Sequence, residues 1–164
     1  EDSMLLSVMN RGGNKLDPYL EVDPVLSIEE VDGTFRFRVS VGLRNGAPEG
    51  LPAYVAGPYP GTDFVEGEYR GIVALTMPGG AGNVTMQGGV PVALGDDGPT
   101  RVAAAEITLG RGEATLVDFE FQLPTTWESV EVLSSARVPA SQWSGVVGPW
   151  EDSLPKEIDL TGPA

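Results

Sequence analysis

The stretch that decides the fold is Thr34–Arg44, which reads TFRFRVSVGLR. Every second position in it is apolar: Phe35, Phe37, Val39, Val41 and Leu43. The three arginines take positions between these apolar residues. Successive side chains of an extended strand point to opposite faces, so an apolar period of two marks a strand with one buried face and one solvated face. The stretch therefore predicts an antiparallel strand that covers a core.

The same pattern continues outward from this strand. Asp32-Gly33 separates it from a β-rich run over 19–31, and Asp-Gly between two such runs is a strong hairpin signal. Further strands are predicted at 4–9, 69–77, 102–109, 114–123 and 130–138. Val84, Met86, Val90, Val92 and Leu94 keep one parity across Gly88-Gly89, which predicts a strand with a bulge or break at the glycines.

Seven or more short strands with frequent turn signals predict an all-β fold. We expect an antiparallel two-sheet β-sandwich, loosely immunoglobulin-like, with a β-barrel as the alternative. Residues 1–147 are expected to form this single domain. Residues 148–164 contain three prolines and lose the alternation, which predicts a Pro- and acid-rich C-terminal tail. Because the first residue begins almost directly in a β-like run, we also expect the chain to be part of a longer protein.

The chain of 164 residues contains no histidine and no cysteine. It therefore lacks the residues for a Ser-His-Asp or Cys-His catalytic site, and for a zinc site with the usual nitrogen and sulfur ligands. We predict no catalytic residue, no metal site and no cofactor. The net charge of −14 argues against nucleic acid and against an anionic membrane surface as partners. No apolar run reaches the roughly 20 residues of a membrane-spanning helix.

Carboxylates are the remaining candidates for chemistry. Asp96 and Asp97 follow Gly95 in a turn, where aspartate is favoured because its side chain binds nearby backbone amides. Asp118 and Glu120 lie two residues apart on the outward face of their strand. Cross-strand pairing with Arg36 or Arg38 accounts for them. The alternative is a pair of glycosidase carboxylates, which would need a sugar cleft and one raised pKa.

The segment 45–67 is long for a loop in a small domain, and such loops are often functional or self-packed. It contains four prolines and three aromatic residues, Tyr54, Tyr59 and Phe64. Aromatic rings on a rigid loop suit stacking on sugars or docking on a protein, so these three are the candidate ligand-binding residues. The alternative is that the rings close an open end of the sandwich.

Several short motifs resemble the DUF4012 family of uncharacterised actinobacterial cell-envelope proteins. Residues 14–20, NKLDPYL, resemble that family's N-K-L-D-Y-Y-L signature, with Pro18 in place of its first tyrosine. Arg44-Asn45, the LPAYV of residues 51–55 and the F-x-F-x-L-P ending at Pro124 follow in the family's order. The resemblance covers roughly residues 8–138. It implies the C-terminal β region of a longer, membrane-tethered protein without an established activity.

Together these observations predict a non-enzymatic, extracytoplasmic structural or interaction module of a larger cell-envelope protein. Its partner would be the rest of its own longer chain or another envelope component, with tethering by a segment outside this stretch. The alternative is a carbohydrate-binding module, or a glycan-acting domain that works with carboxylates alone.

Overall fold

A computed structural model describes residues 2–146 and 148–161 of the chain. Its elements are almost all strands, and the only α-helix among these residues is a single turn. In chain order they are β1 Ser3–Asn10, β2 Leu20–Val31, β3 Thr34–Asn45, α1 Ala53–Ala56, β4 Tyr69–Pro78, β5 Gly82–Gln87, β6 Val90–Asp97, β7 Thr100–Leu109, β8 Ala114–Pro124, β9 Ser129–Leu133, β10 Gln142–Gly145, β11 Trp150–Glu151 and β12 Lys156–Asp159.

The strands form two six-stranded sheets that pack face to face and are not closed into a barrel. One, here called the β1 sheet, has the order β12-β9-β1-β4-β7-β6. The other, the β2 sheet, has the order β11-β10-β2-β3-β8-β5. The predicted two-sheet sandwich is thus confirmed. The sheets are mixed rather than purely antiparallel, because β9 pairs in parallel with β1 and β10 in parallel with β2.

The core lies between the sheets and is made by the alternation seen in the sequence. The predicted strand at 34–44 is β3, and it pairs in unbroken register with β2 on one side and β8 on the other. Phe37 of β3 stacks on Phe121 of β8 with ring centroids 4.8 Å apart, and both side chains are fully buried. Offset-stacked rings add to the free energy gained by burying their area.

The run at 84–94 breaks at Gly88-Gly89, as the sequence predicted. The break is larger than a bulge within one strand, since β5 lies at the edge of the β2 sheet and β6 at the edge of the β1 sheet. The glycines allow this crossover because both have positive φ and lie against the backbone of neighbouring strands. The shared parity does not produce a shared buried face, because Val90, Val92 and Leu94 are 66%, 46% and 61% exposed on an edge strand.

The segment that follows β10 supplies one edge strand to each sheet. β11 pairs with β10, and β12 pairs with β9. Trp143 is 1% exposed and stacks on Trp150 at a centroid distance of 5.2 Å. Residues 150–159 of the predicted tail are therefore strands or the turn between them, whereas position 147 and residues 162–164 lie outside the described residues.

Candidate functional site

The outer face of the β2 sheet is covered with charge. Its outward positions on β2, β3 and β8 include Glu21, Asp23, Glu29, Arg36, Arg38, Arg44, Asp118 and Glu120. Charges of opposite sign lie across from one another. Arg38 and Asp118 are 3.2 Å apart, Arg36 and Glu120 are 3.5 Å apart, and Arg44 and Glu21 are 3.2 Å apart. The predicted cross-strand pairing of the two acids is confirmed, and this face is a solvated one.

The ion pair with Arg38 also favours the charged form of the Asp118 carboxyl. Burial alone would raise the pKa of its carboxyl, but hydrogen bonds from Ser40 and Arg38 and the charge of Arg38 outweigh burial and lower the pKa. A glycosidase needs one carboxyl with a raised pKa to act as general acid. Asp118 is shifted in the opposite direction, so the geometry favours an ion-pair role for it.

The outer face of the β1 sheet is different in character. The strand register places three rows of outward residues side by side across β1, β4, β7 and β6. These rows are Leu5–Thr76–Val102–Gly95, Ser7–Ala74–Ala104–Ala93 and Met9–Ile72–Glu106–Val90. Glu106 is the only charged side chain in this set, which we call the neutral face.

The middle row of the neutral face is recessed below the two rows beside it. Ala74 and Ala104 point outward, yet they are only 7% and 4% exposed because the taller side chains of the two flanking rows shield them. With strands about 4.8 Å apart and residues about 3.4 Å apart along each strand, the three rows cover roughly 300 Å². This projected area includes the polar side chains of Ser7, Thr76 and Glu106, so the exposed apolar area is smaller.

The sequence contains a signal for this face in β4 and β7. Residues 72–77 of β4 and 102–105 of β7 are apolar or small at nearly every position, without the alternation of β3. Such runs are typical of strands that are covered on both faces. Here one of the two faces has no covering element among the described residues.

The candidate ligand-binding residues lie in the loop between β3 and β4. Tyr54 is 67% exposed, with the Lys15 ammonium 5.5 Å from its ring centroid. Tyr59 is 56% exposed and lies against Gly13. Phe64 is half-buried under Arg70, whose guanidinium carbon is 4.3 Å from the ring centroid. Leu51 and Val55 of the same loop pack against the core.

The motif at residues 14–20 is a structural junction. Leu16 and Leu20 are buried, and the Asn14 side-chain amide donates to the Glu68 carbonyl at 2.8 Å. The Asp17 carboxylate accepts from the Asn10 amide at 2.9 Å and from the Tyr69 hydroxyl at 3.3 Å. Burial, and then the charge and hydrogen bond of Asp17, raise the pKa of Tyr69. These contacts connect β1, the turn before β2 and β4.

Arg137 lies beside this junction and borders an open cavity. Its guanidinium donates to three backbone carbonyls, those of Pro139 at 2.7 Å, Asp17 at 2.9 Å and Leu20. Within the described part of the chain it forms no ion pair with a carboxylate. Burial lowers its pKa, and the charges of Tyr69 and Asp17 offset this only in part. The cavity, about 460 Å³ in volume, is lined by Pro18, Tyr19, Leu20, Glu21, Val22, Asp23, Gly46, Arg137, Pro139, Ala140 and Gln142.

Residues 2–146 and 148–161 contain neither a cluster of metal-ligating residues nor a helix that could span a membrane. No group of three or more aspartates and glutamates is arranged there to hold a metal ion. No helix in this part of the chain combines the length and the hydrophobicity needed to cross a membrane. Asp96 and Asp97 are the last two residues of β6 rather than part of the predicted turn, and Asp96 pairs with Arg101 at 2.8 Å.

Comparison of the chain with protein-family models, with curated proteins and with solved structures finds no match. The resemblance of its motifs to DUF4012 proteins therefore stays a prediction. The function has to be argued from the two outer faces, the loop and the cavity.

Proposed function

We propose that this chain is a non-enzymatic interaction module that docks through its neutral face onto another protein surface. The single observation that carries the proposal is the contrast between the two sheets. The molecule has a net charge of −14. The neutral face nevertheless contains only one charged side chain among its twelve outward residues. The centres of protein interfaces are likewise depleted of charged side chains.

The shape of the patch supports the same proposal. Small residues along the row from Ser7 to Ala93 let a partner approach the sheet closely, while Met9, Ile72 and Val102 flank that row and supply apolar contact area. The partner we propose is the remainder of the longer protein or another component of the same envelope assembly. The extracytoplasmic location rests on the motif resemblance alone.

Site-specific photocrosslinking in the full-length protein, in the cells that make it, tests this. A photoreactive residue at Ala93 on the neutral face should give a discrete crosslinked product, and one at Ser27 on the charged face should give none. Thr76→Glu should abolish the product from position 93, because it places a charge in the patch, whereas the matched Ser27→Glu should leave it unchanged. Equal products from both faces, no product, or insensitivity to Thr76→Glu would contradict the proposal.

A second function is favoured by the exposure of Tyr54 and Tyr59, which leaves their rings free to stack on sugars. Titration calorimetry with cell-envelope glycans tests it. Tyr59→Ala should remove most of the binding, and Val65→Ala, at a 63% exposed position in the same loop, should not. Equal affinity of the two variants, or no binding by the unmodified chain, would exclude the carbohydrate function.

A further inference from the structure

The cavity beside Arg137 is an interruption in the pairing of a strand edge. β3 covers β2 along its whole length on one side, from Leu20 to Val31. On the other side, β10 pairs with β2 only at Val25 and Leu26. Among the described residues, no strand is paired with β2 before Val25 on this side, and the cavity lies beside this stretch.

The direction of the free backbone groups follows from the hydrogen bonds at the two ends of the gap. The Leu20 carbonyl accepts from Arg137 and the Leu26 carbonyl accepts from the Val146 amide, so both point away from β3. Hydrogen-bonding direction alternates along a strand, and the β2–β3 register is regular, so Val22 points the same way. Its N–H and C=O face the cavity. Pro24 shares this direction and has no N–H to offer.

Arg137 lies at one end of the gap, and not all of its guanidinium N–H groups are engaged in hydrogen bonds. Three of the five N–H groups of a guanidinium are engaged here by backbone carbonyls, which leaves two. The two free groups are the Nε–H and one Nη1–H, which do not lie side by side, so a carboxylate accepts from one of them. The charge of this half-buried guanidinium, which forms no ion pair within the described residues, supplies the rest of the attraction.

The length of the gap along β2 and the acidic residues on its outer side determine the length and charge of a ligand that fits. Three residue steps from Leu20 to Asp23, the residues of β2 that line the cavity, span about 10 Å, which is room for about three extended residues. A volume of about 460 Å³ is within the usual range for ligand pockets. Glu21 and Asp23 border the cavity on the charged face, where Glu21 is engaged by Arg44. No hydrogen bond or ion pair of Asp23 is found among the described residues.

We propose that this cavity binds the carboxyl-terminal residues of an extended basic peptide, which adds to the edge of β2 in antiparallel orientation. The terminal carboxylate lies at Arg137. The residue before the last one exchanges both backbone hydrogen bonds with Val22 and points an apolar side chain inward. The residue before that lies opposite Asp23, on the same outward face, and offers it a lysine or arginine. The net charge of −14 attracts a basic peptide and raises its association rate.

Heteronuclear NMR titration of the 164-residue chain with the synthetic peptide acetyl-Ala-Lys-Val-Ala tests this proposal. The free-acid peptide should shift the Val22 amide and the Arg137 side-chain signals. The same peptide with a carboxamide terminus should bind roughly tenfold more weakly, because it loses the charge that Arg137 meets. Asp23→Asn should weaken binding of this peptide and leave unchanged the binding of a peptide with alanine in place of its lysine.

Equal affinity for the acid and amide peptides would overturn the proposal, as would shifts confined to other parts of the chain or no shift at millimolar peptide. The Asp23→Asn variant keeps the result interpretable, since Asp23 is exposed and its replacement should not affect folding. The cavity and the neutral face lie on different sheets. Thr76→Glu therefore should not alter peptide binding, and the two proposals can fail separately.

Discussion

At the scale of single residues, the buried polar side chains are the ones that decide how the loops attach to the sandwich. Asn45 is 1% exposed at the end of β3. Its amide donates to the carbonyls of Gly67 at 2.8 Å and Leu109 at 3.0 Å, and its oxygen accepts from the Ala47 amide. Buried polar groups that lose their partners cost more than the hydrogen bond itself contributes. This one side chain therefore holds three separate backbone segments together.

Asn45→Ala should lower the free energy of unfolding by about 2 kcal/mol or more, because it leaves two buried carbonyls without donors. Gln122→Ala removes a similar amide from the solvated face of β8 and should change it by less than about 0.5 kcal/mol. Chemical denaturation of both variants measures the difference. Similar losses for the two variants would show that the Asn45 amide is not the attachment point described.

The ion pair of Asp118 predicts a pH dependence. Its pKa in the folded chain lies below the unfolded value of about 3.9, so the folded state binds fewer protons there. The stabilisation is present above that value and is lost as the pH falls through the folded pKa. Unfolding curves should therefore show Asp118→Asn less stable than the parent chain by up to about 1 kcal/mol at neutral pH, with the gap closing in acid. A gap that stays constant with pH would contradict this account.

At the scale of elements, the close approach of backbones at Gly88 joins the two sheets. A β-carbon there would meet the carbonyl of Leu116 in β8. Gly88→Ala should cost about 2 kcal/mol more in unfolding free energy than Gly98→Ala, since both residues have positive φ but a β-carbon at Gly98 would meet open space. Thermal and chemical denaturation of both variants measure this. Equal costs would mean that φ alone, and not the crossover, constrains Gly88.

Element prediction succeeded where one face of a strand is buried and the other is solvated. β2, β3 and β8 satisfy this condition, and the alternation of residues 34–44 predicted β3 directly. It was misleading for β6, because the bulge between Pro91 and Ala93 reverses the parity within the strand, so that Val90 and Leu94 lie on opposite faces. Leu116 is an apolar residue at an outward position of β8, where it is exposed, and β8 pairs with β3 without any register shift.

The candidate sites show why the rest could not be read from the sequence. Arg137 and Val22 come together only through the pairing of β2 with β10, which is more than a hundred residues away along the chain. The strands β10 and β11 are short, and the stacking of Trp143 on Trp150 supports them more than any strand propensity. Conversely, the lack of alternation in β4 and β7 was visible in the sequence, and only the sheet order shows that these residues form one face.

At the scale of the whole molecule, charge is distributed unevenly between two otherwise similar sheets. Paired charges cover the outer side of the β2 sheet, while the middle of the β1 sheet has Glu106 alone. The high net charge keeps copies of the molecule apart. An uncovered neutral face on such a molecule is what the proposed docking surface requires. The edge of β6 is poorly suited to strand addition, since it contains Pro91 and a bulge before Ala93.

Whether the neutral face is covered in place can be measured by cysteine labelling, because the chain has no cysteine of its own. A single cysteine is introduced at Thr76 on the neutral face or at Ser27 on the charged face of the full-length protein. The labelling rate of each is then compared between its native envelope and the purified chain. We predict strong protection at position 76 in the envelope and none at position 27. Equal labelling of position 76 in both settings would contradict the account.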